Sequence, residues 1–274
     1  MNNGLKILFC IHLFLMCFTP ITYTQIDSIT QNNISLDKRL HLGDEFTYIV
    51  KYAFLNLGEL RLKVYAKDTV DQKIIYKSIA YIDSYEGLPF ANLHQIYESW
   101  FDSTLHPVYF QALMFYEEDT SYTKYFFKED NLVHILKGKL HEQKASLDTV
   151  VNLGSSYQDG LSLLYFTRFN FGRNENVVIS CFINEDTAST IINYYFDKEN
   201  VSIDAVDYEI DCFKIDGEIG FTGIFGLTGY YEGWFSNDEY QVPVAAELEV
   251  IIGHISIELV EWKREEWQPP VYKE

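Results

Sequence analysis

The sequence predicts a mainly β protein: one large, curved antiparallel sheet, an open or half barrel, packed around one main α-helix. From residue 41 onward, short segments repeatedly alternate large apolar with polar residues, which is the period of strands buried on one face. Turn residues separate these segments at short intervals, as in a meander whose consecutive strands pair. One segment instead has the apolar spacing of a helix. Because a long antiparallel sheet twists and curls, the helix is expected inside the curve.

The predicted strands follow one another closely along the chain. In the first hairpin, residues 46–54 alternate, residues 56–59 are the predicted turn, and residues 60–67 form the returning strand. Further strands are predicted over residues 73–82, 94–101, 107–116, 121–128, 133–136, 176–184, 190–197, 205–216, 229–236, 242–252 and 254–263. Most of these are joined by short polar turns, so a meander is expected.

The predicted helix covers residues 157–171. The helical spacing of three and four residues runs through Leu161, Leu164, Tyr165, Arg168 and Phe169, and all of these except Arg168 form an apolar stripe. Ser155 or Ser156 could cap the start and Gly172 could end it, with Asp159 and Gly160 in the first turn. The stripe is expected to lie on the sheet.

Residues 1–24 are predicted to be a cleavable secretion signal. Lys6 precedes an apolar run from residue 7 to 18, Pro20 breaks it, and Thr22 and Thr24 come before a cut at Gln25. At about 1.5 Å per residue this run is shorter than a bilayer core of about 30 Å, which argues against the alternative, an uncleaved anchor. The expected organisation is a flexible segment at 25–40, a single β-rich domain at 41–267 and a tail at 268–274, exported to the periplasm or cell envelope of a bacterium.

Charge excludes some partners. Forty acidic residues outnumber 21 basic ones, and the net charge is −19. Such a chain repels phosphate backbones and anionic lipid surfaces, so no nucleic-acid partner is expected. No later apolar run approaches the roughly 20 residues of a membrane helix, so no transmembrane span is expected after signal cleavage. Cys181 and Cys212 remain after cleavage and could form a disulfide, although two separate buried thiols are favoured.

One pattern occurs twice. Residues 97–102 read Tyr-Glu-Ser-Trp-Phe-Asp and precede Pro107-Val108, and residues 231–236 read Tyr-Glu-Gly-Trp-Phe-Ser and precede Pro243-Val244. Proline is tolerated at the first residue of a strand. The pattern therefore predicts two similar hairpins at different points of one sheet.

The second of these hairpins, followed by Gly253-His254-Ile255, resembles an uncharacterised family of exported bacterial proteins, domain of unknown function 3108. The opening Gly43 to Tyr48, the later Leu57-Gly58-Glu59 and the helix start Tyr157-Gln158-Asp159 resemble it too. The resemblance covers roughly residues 40–263 and lies in the order of the motifs. The family has no known catalytic residues. Its architecture is similar to the half barrels of periplasmic lipoprotein carriers, which implies, by analogy of fold, a place for acyl chains between sheet and helix.

The sequence contains no catalytic constellation such as the GxSxG of a serine nucleophile, no metal motif such as HExxH, and no cofactor motif. The aromatic residues are the most informative feature, because they either fill the core or line a cavity for an apolar ligand. The residues predicted to share one interior are Tyr48, Tyr52, Phe54, Trp100, Tyr165, Phe169 and Trp234. In the glycine-rich segment 217–229, the residues that could pack on the rim or form a lid are Phe221, Ile224, Phe225 and Leu227.

Two functions follow as hypotheses. The first is non-catalytic binding or carriage of an apolar small molecule or lipid in the cell envelope. The alternative is a structural or assembly protein of the envelope that binds protein partners through exposed sheet edges. A cavity lined by apolar side chains would favour the first, and a filled interior would favour the second.

Overall fold

The structure is a computed structural model that describes residues 36–87, 92–169, 171, 176–223, 228–250 and 253–273. The predicted signal therefore lies outside the described residues. The helices are α1 (Leu36–Arg39) and α2 (Ser162–Phe169). The strands are β1 (Glu45–Tyr52), β2 (Leu55–Val70), β3 (Lys73–Ser84), β4 (His94–Asp102), β5 (Pro107–Tyr116), β6 (Asp119–Phe127), β7 (Leu132–Lys139), β8 (Leu147–Asn152), β9 (Asn176–Ile183), β10 (Asp186–Val201), β11 (Ile210–Ile219), β12 (Gly229–Ser236), β13 (Pro243–Glu249) and β14 (His254–Lys263).

All 14 strands belong to one antiparallel sheet with the order β8-β7-β6-β5-β4-β3-β2-β1-β14-β13-β12-β11-β10-β9. Two meanders, β1 to β8 and β9 to β14, therefore lie side by side and are joined where β1 pairs with β14. Strands β8 and β9 are the two edges. The predicted fold class is confirmed: the protein is mainly β, and the large antiparallel sheet is not closed into a barrel.

The two ends of the sheet come together on its inner side. Phe182, on edge strand β9, packs against Tyr125 of β6 and against Val133 and Ile135 of β7. In the turn after β9, Glu185 accepts hydrogen bonds from Tyr125 Oη at 3.0 Å and from Lys137 Nζ at 2.5 Å. The sheet is thus curled, as its length led us to expect.

Both ends of the β domain are part of its core. Leu40, predicted to lie in a flexible segment, is buried in the largest apolar cluster together with Trp267. The tail also pairs with β11, because Val271 forms a bridge with Ile210. The domain therefore extends beyond the predicted 41–267 on both sides.

Helix α2 begins later than predicted. The backbone of Gln158 forms a bridge with β9, since its N–H donates to Ser180 O and its carbonyl accepts from Phe182 N. These bonds hold residues 157 and 158 out of the helix. Asp159, not Ser155 or Ser156, is the cap: its Oδ1 accepts from the N–H groups of Leu161 and Ser162, both at 2.8 Å. Gly172 lies outside the described residues.

The turn of the first hairpin was predicted too late. The chain turns at Ala53 and Phe54, where Ala53 has φ +51°, and β2 already begins at Leu55. Gly58 lies inside β2, and a Cβ there would come within 2.2 Å of Asp83 O. This glycine therefore marks a close approach of two strands rather than a turn. Strand β8 was not predicted, because 147–152 has little apolar alternation.

Candidate functional site

The interior beneath α2 is the site that the sequence predicted, and it is nearly full. The cavity there has a volume of about 10 Å³ and is bordered by Tyr48, Tyr165, Leu164 and Arg168, among others. A volume of this size holds about one water molecule. Helix α2 packs on the sheet through aromatic rings: the ring centroids of Tyr165 on α2 and Phe101 on β4 are 5.0 Å apart. This cavity therefore has no space for an acyl chain.

Asp159 ties α2 to the sheet. Its carboxylate is fully buried and accepts a 2.6 Å hydrogen bond from Ser99 Oγ on β4, besides the two cap bonds. Burial raises the pKa of Asp159 to about 6, and the hydrogen bonds from Ser99, Ser162 and Leu161 only partly offset this rise. All three of these hydrogen-bond donors are neutral groups, so none of them balances the charge of the carboxylate. The arrangement is that of a satisfied buried cap.

Arginine side chains join the chain ends to α2. The guanidinium of Arg168 is buried and donates to the carbonyls of Gln241 at 3.0 Å, Tyr240 at 2.9 Å and Arg39 at 3.5 Å. Burial lowers the pKa of Arg168. Arg264 also donates to Arg39 O and forms a buried ion pair with Asp44. These groups are engaged in holding the backbone, so they are structural.

Asp44 also borders a shallow surface groove of about 430 Å³, together with His41, Trp262 and Arg264. Its Oδ1 has no hydrogen-bond partner, and His41 Nδ1 lies 3.5 Å away. Burial raises the pKa of Asp44 although Arg264 and Arg168 are near. The lining of this groove includes no serine, threonine or cysteine, and the described residues contain no group of three His, Cys, Asp or Glu that could hold a metal ion.

The predicted lining residues do not form one group. Tyr48, Tyr165, Phe169 and Trp234 belong to or pack against the largest cluster, whereas Tyr52 packs against a separate one around Val50. The prediction was wrong for two residues. Phe54 is 91% exposed, because it lies in the turn. Trp100 follows the strand alternation to the face opposite Phe101, where Lys77 Nζ lies 4.0 Å from its ring centroid.

The predicted lid is described only in part. Phe221 packs against the cluster that contains Cys181, so it rests on the sheet, as an apolar loop residue should. Ile224, Phe225 and Leu227 lie outside the described residues. Cys181 and Cys212 are both buried free thiols in this structure, and each belongs to a different cluster.

The two sheet edges differ. The backbone of Gln158 pairs with the outer edge of β9 at Ser180 and Phe182. Strand β8 pairs with β7, and in the described part of the chain no other strand or bridge covers its outer edge. On β8 the side chains of Val150 and Leu147 are 52% and 37% exposed. No sequence pattern indicated this edge, because the strands that lie outermost depend on the whole topology.

The chain resembles solved structures to different degrees. The chain is similar to a beta-barrel-like protein of domain of unknown function 1849 from Brucella abortus, at 10% identity and a TM-score of 0.50 over 85% of this chain and 98% of that one. It is less similar to a candidate exported protein with a YmcC-like fold from Bacteroides fragilis, at 9% identity and a TM-score of 0.35 over 81% of this chain and 96% of that one. A candidate lipoprotein from Parabacteroides distasonis gives 10% identity and a TM-score of 0.34 over 82% and 96%.

Sequence comparison gives the family. No curated protein sequence is similar enough to match this chain. None of the helices in the described residues is long and apolar enough to cross a bilayer. The family model for a protein of unknown function, DUF3108, matches residues 47–260, which is most of the chain. The chain therefore belongs to the DUF3108 family.

Proposed function

We propose that this protein is a non-catalytic structural or assembly protein of the cell envelope that binds a protein partner along strand β8. The observation that carries the proposal is the contrast between a filled interior and an open sheet edge. A cavity of about 10 Å³ leaves an apolar ligand no room beneath α2, so carriage of a lipid there would require the core to open. Export rests on the predicted signal at residues 1–24.

Strand β8 has the chemistry of an edge that accepts another strand. An uncovered edge presents unpaired backbone N–H and C=O groups, and natural proteins usually protect such edges with lysine, proline or a bulge. Residues 147–152 contain no lysine and no proline, and their register with β7 is regular, without a bulge. Val150 and Leu147 are exposed beside the edge, where side chains of an added strand would contact them.

Photo-crosslinking in the native host tests the proposal, and the chain offers a matched control. A photoreactive amino acid is placed at position 150 on β8 or at position 178 on β9, where valines are 52% and 51% exposed. Because Gln158 covers part of the β9 edge, we expect a discrete protein adduct from position 150 and none from position 178. Asp148→Pro should abolish the adduct, since the register with β7 directs the N–H of residue 148 to the outer edge, where proline removes a donor that an added strand would use.

Equal adducts at both positions, or none at position 150, would contradict this function. A second measurement addresses the other hypothesis. Native mass spectrometry of protein purified from the host should show no lipid bound to the chain. A lipid that co-purifies with the protein but not with Leu164→Trp, which fills the space beneath α2, would support the carrier hypothesis instead.

A further inference from the structure

The backbone of strand β8 presents alternate residues to the open edge of the sheet. Leu153, just after the strand, donates its N–H to Asn131 O on the β7 side at 3.0 Å. Successive residues of a strand direct their N–H and C=O groups to opposite sides, and the register with β7 is regular. The backbone groups of Asp148, Val150 and Asn152 are therefore directed outward, where they offer donors and acceptors to another strand.

A row of side chains on the outer face of the sheet ends at this edge. The register of β4 to β8 places these residues next to one another in the row: Trp100, Tyr109, Phe126, His134 and Val150. The centroids of successive rings are 4.7, 5.2 and 5.7 Å apart. Val150 ends the row with its side chain 52% exposed, so an apolar residue of an added strand would continue it.

The sequence of the edge is complementary to itself in the antiparallel direction. Residues 147–153 read Leu-Asp-Thr-Val-Val-Asn-Leu, and Asp148 is the only charged one. A two-fold axis at Val150 places the following residues of two copies opposite each other: Val150 and Val150, Asp148 and Asn152, Thr149 and Val151, Leu147 and Leu153. Each carboxylate then faces an amide. An axis at Thr149 would instead place each Asp148 opposite a valine.

The side chains of Asp148 and Asn152 have the groups for this pairing. Asp148 is 67% exposed, and its Oδ1 lies 2.8 Å from His134 Nε2, which leaves Oδ2 as an acceptor. The Oδ1 of Asn152 accepts from Gly154 N at 2.8 Å, so its amide nitrogen remains as a donor. Across the two-fold axis, the amide of each copy can therefore donate to the carboxylate of the other.

We infer that the partner at β8 is a second copy of this chain, which pairs antiparallel about a two-fold axis at Val150. The inference rests on the proposed function, because it names the partner of the same edge. The pairing uses the outward backbone groups of both copies and continues the outer row of one copy into that of the other. A contact of one strand is small beside the roughly 1,200–2,000 Å² of stable complexes, so we expect a reversible dimer with a Kd on the order of micromolar.

Cysteine crosslinking of the purified protein tests both the partner and the register. Residues opposite each other in a hydrogen-bonded antiparallel pair have Cα atoms about 5.5 Å apart, which is within the range of a disulfide. We therefore expect Val150→Cys to form a disulfide-linked dimer under mild oxidation. Asp148→Cys mixed with Asn152→Cys should form a mixed dimer. Asp148→Cys alone should stay monomeric, since its counterpart lies about 14 Å away along the strands.

Val178→Cys on β9 is the matched control, because Val178 is 51% exposed at the other edge of the sheet, and it should not crosslink. The native thiols of Cys181 and Cys212 are buried. Without crosslinking, analytical ultracentrifugation should show a monomer–dimer equilibrium. Val150→Lys should raise its Kd about tenfold or more, since like charges then face each other across the axis. Because Val150 is exposed, the melting temperature of the diluted variant should equal that of the unmodified protein.

Three results would overturn self-pairing. The first is a monomer at every concentration, the second is equal crosslinking of Val150→Cys and Val178→Cys, and the third is a dimer that Val150→Lys leaves unchanged. The photo-adduct from position 150 in the host separates this inference from the proposed function. An adduct with twice the mass of the chain supports both. An adduct that contains a different protein overturns self-pairing and leaves the proposed function in place.

Discussion

Ser99 on β4 donates a 2.6 Å hydrogen bond to Asp159, the buried carboxylate that caps helix α2. This bond connects the first meander of the sheet with the segment that leads into the second. The same segment continues into β9, whose turn contacts β6 and β7. The buried carboxylate of Asp159 therefore links the two halves of the fold, and its protonation should affect the free energy of unfolding.

The unfolding free energy should depend on pH through Asp159. Its pKa is raised from 3.8 to about 6 in the folded protein, so the folded state binds the proton more tightly than the unfolded state. The resulting stabilisation is fully present below about pH 4, falls as the pH rises to about 6, and is gone above that, a change of about 3 kcal/mol. Urea unfolding of the protein and of Asp159→Asn between pH 4 and 7 measures it. Parallel pH profiles of the two proteins would disprove the prediction.

Leu164→Asp should destabilise the protein by about 3 kcal/mol or more. Leu164 packs between two apolar clusters and borders the small cavity, so a carboxylate there would be buried without a partner. Leu140→Asp is the control, because Leu140 is exposed in the β7–β8 connection. Thermal melts compare the two variants. A melting temperature for Leu164→Asp equal to that of the control would show that the apolar stripe of α2 does not face the sheet.

Tyr125→Phe should loosen the contact between the ends of the sheet. The hydroxyl of Tyr125 donates to Glu185 Oε1 at 3.0 Å and accepts from Glu185 N at 3.2 Å. Removing both bonds at a buried position should cost about 1–3 kcal/mol. Amide hydrogen exchange should speed up in β9 and in the β9–β10 turn before it changes in β12. Uniform protection in the variant would mean that apolar packing of Phe182 alone holds the ends together.

Both thiols should be unreactive in the folded protein. Burial raises the pKa of Cys181 to about 12 and raises that of Cys212 as well, so the reactive thiolate is scarce. We expect both to react with Ellman's reagent after unfolding in denaturant and neither to react before. A reducing agent should leave the melting temperature unchanged. Failure to label in denaturant without reductant would reveal a disulfide and contradict the structure.

Sequence pattern alone predicted the fold class, most strands and the repeated hairpins. In the structure, Phe101 pairs with Pro107 and Phe235 pairs with Pro243, each beside a register irregularity at the preceding tryptophan. Alternation and proline position are local signals, which is why they could be interpreted without tertiary contacts. The same locality explains the error at Gly58, since a glycine needed for close approach of β3 has the same letter as a glycine in a turn.

Far less of the candidate site could be predicted. Whether aromatic side chains fill a core or line a cavity depends on how tightly distant strands approach, and the sequence left both open. Only the tertiary structure showed that Tyr48 and Tyr165 enclose about 10 Å³, that Trp100 faces away, and that Phe54 is exposed. The sequence determined which segments become strands, because alternation is a property of neighbouring residues. The structure decided which strands lie at the edges and how full the interior is, because both depend on residues such as Tyr125 and Glu185 meeting across 60 positions of the chain.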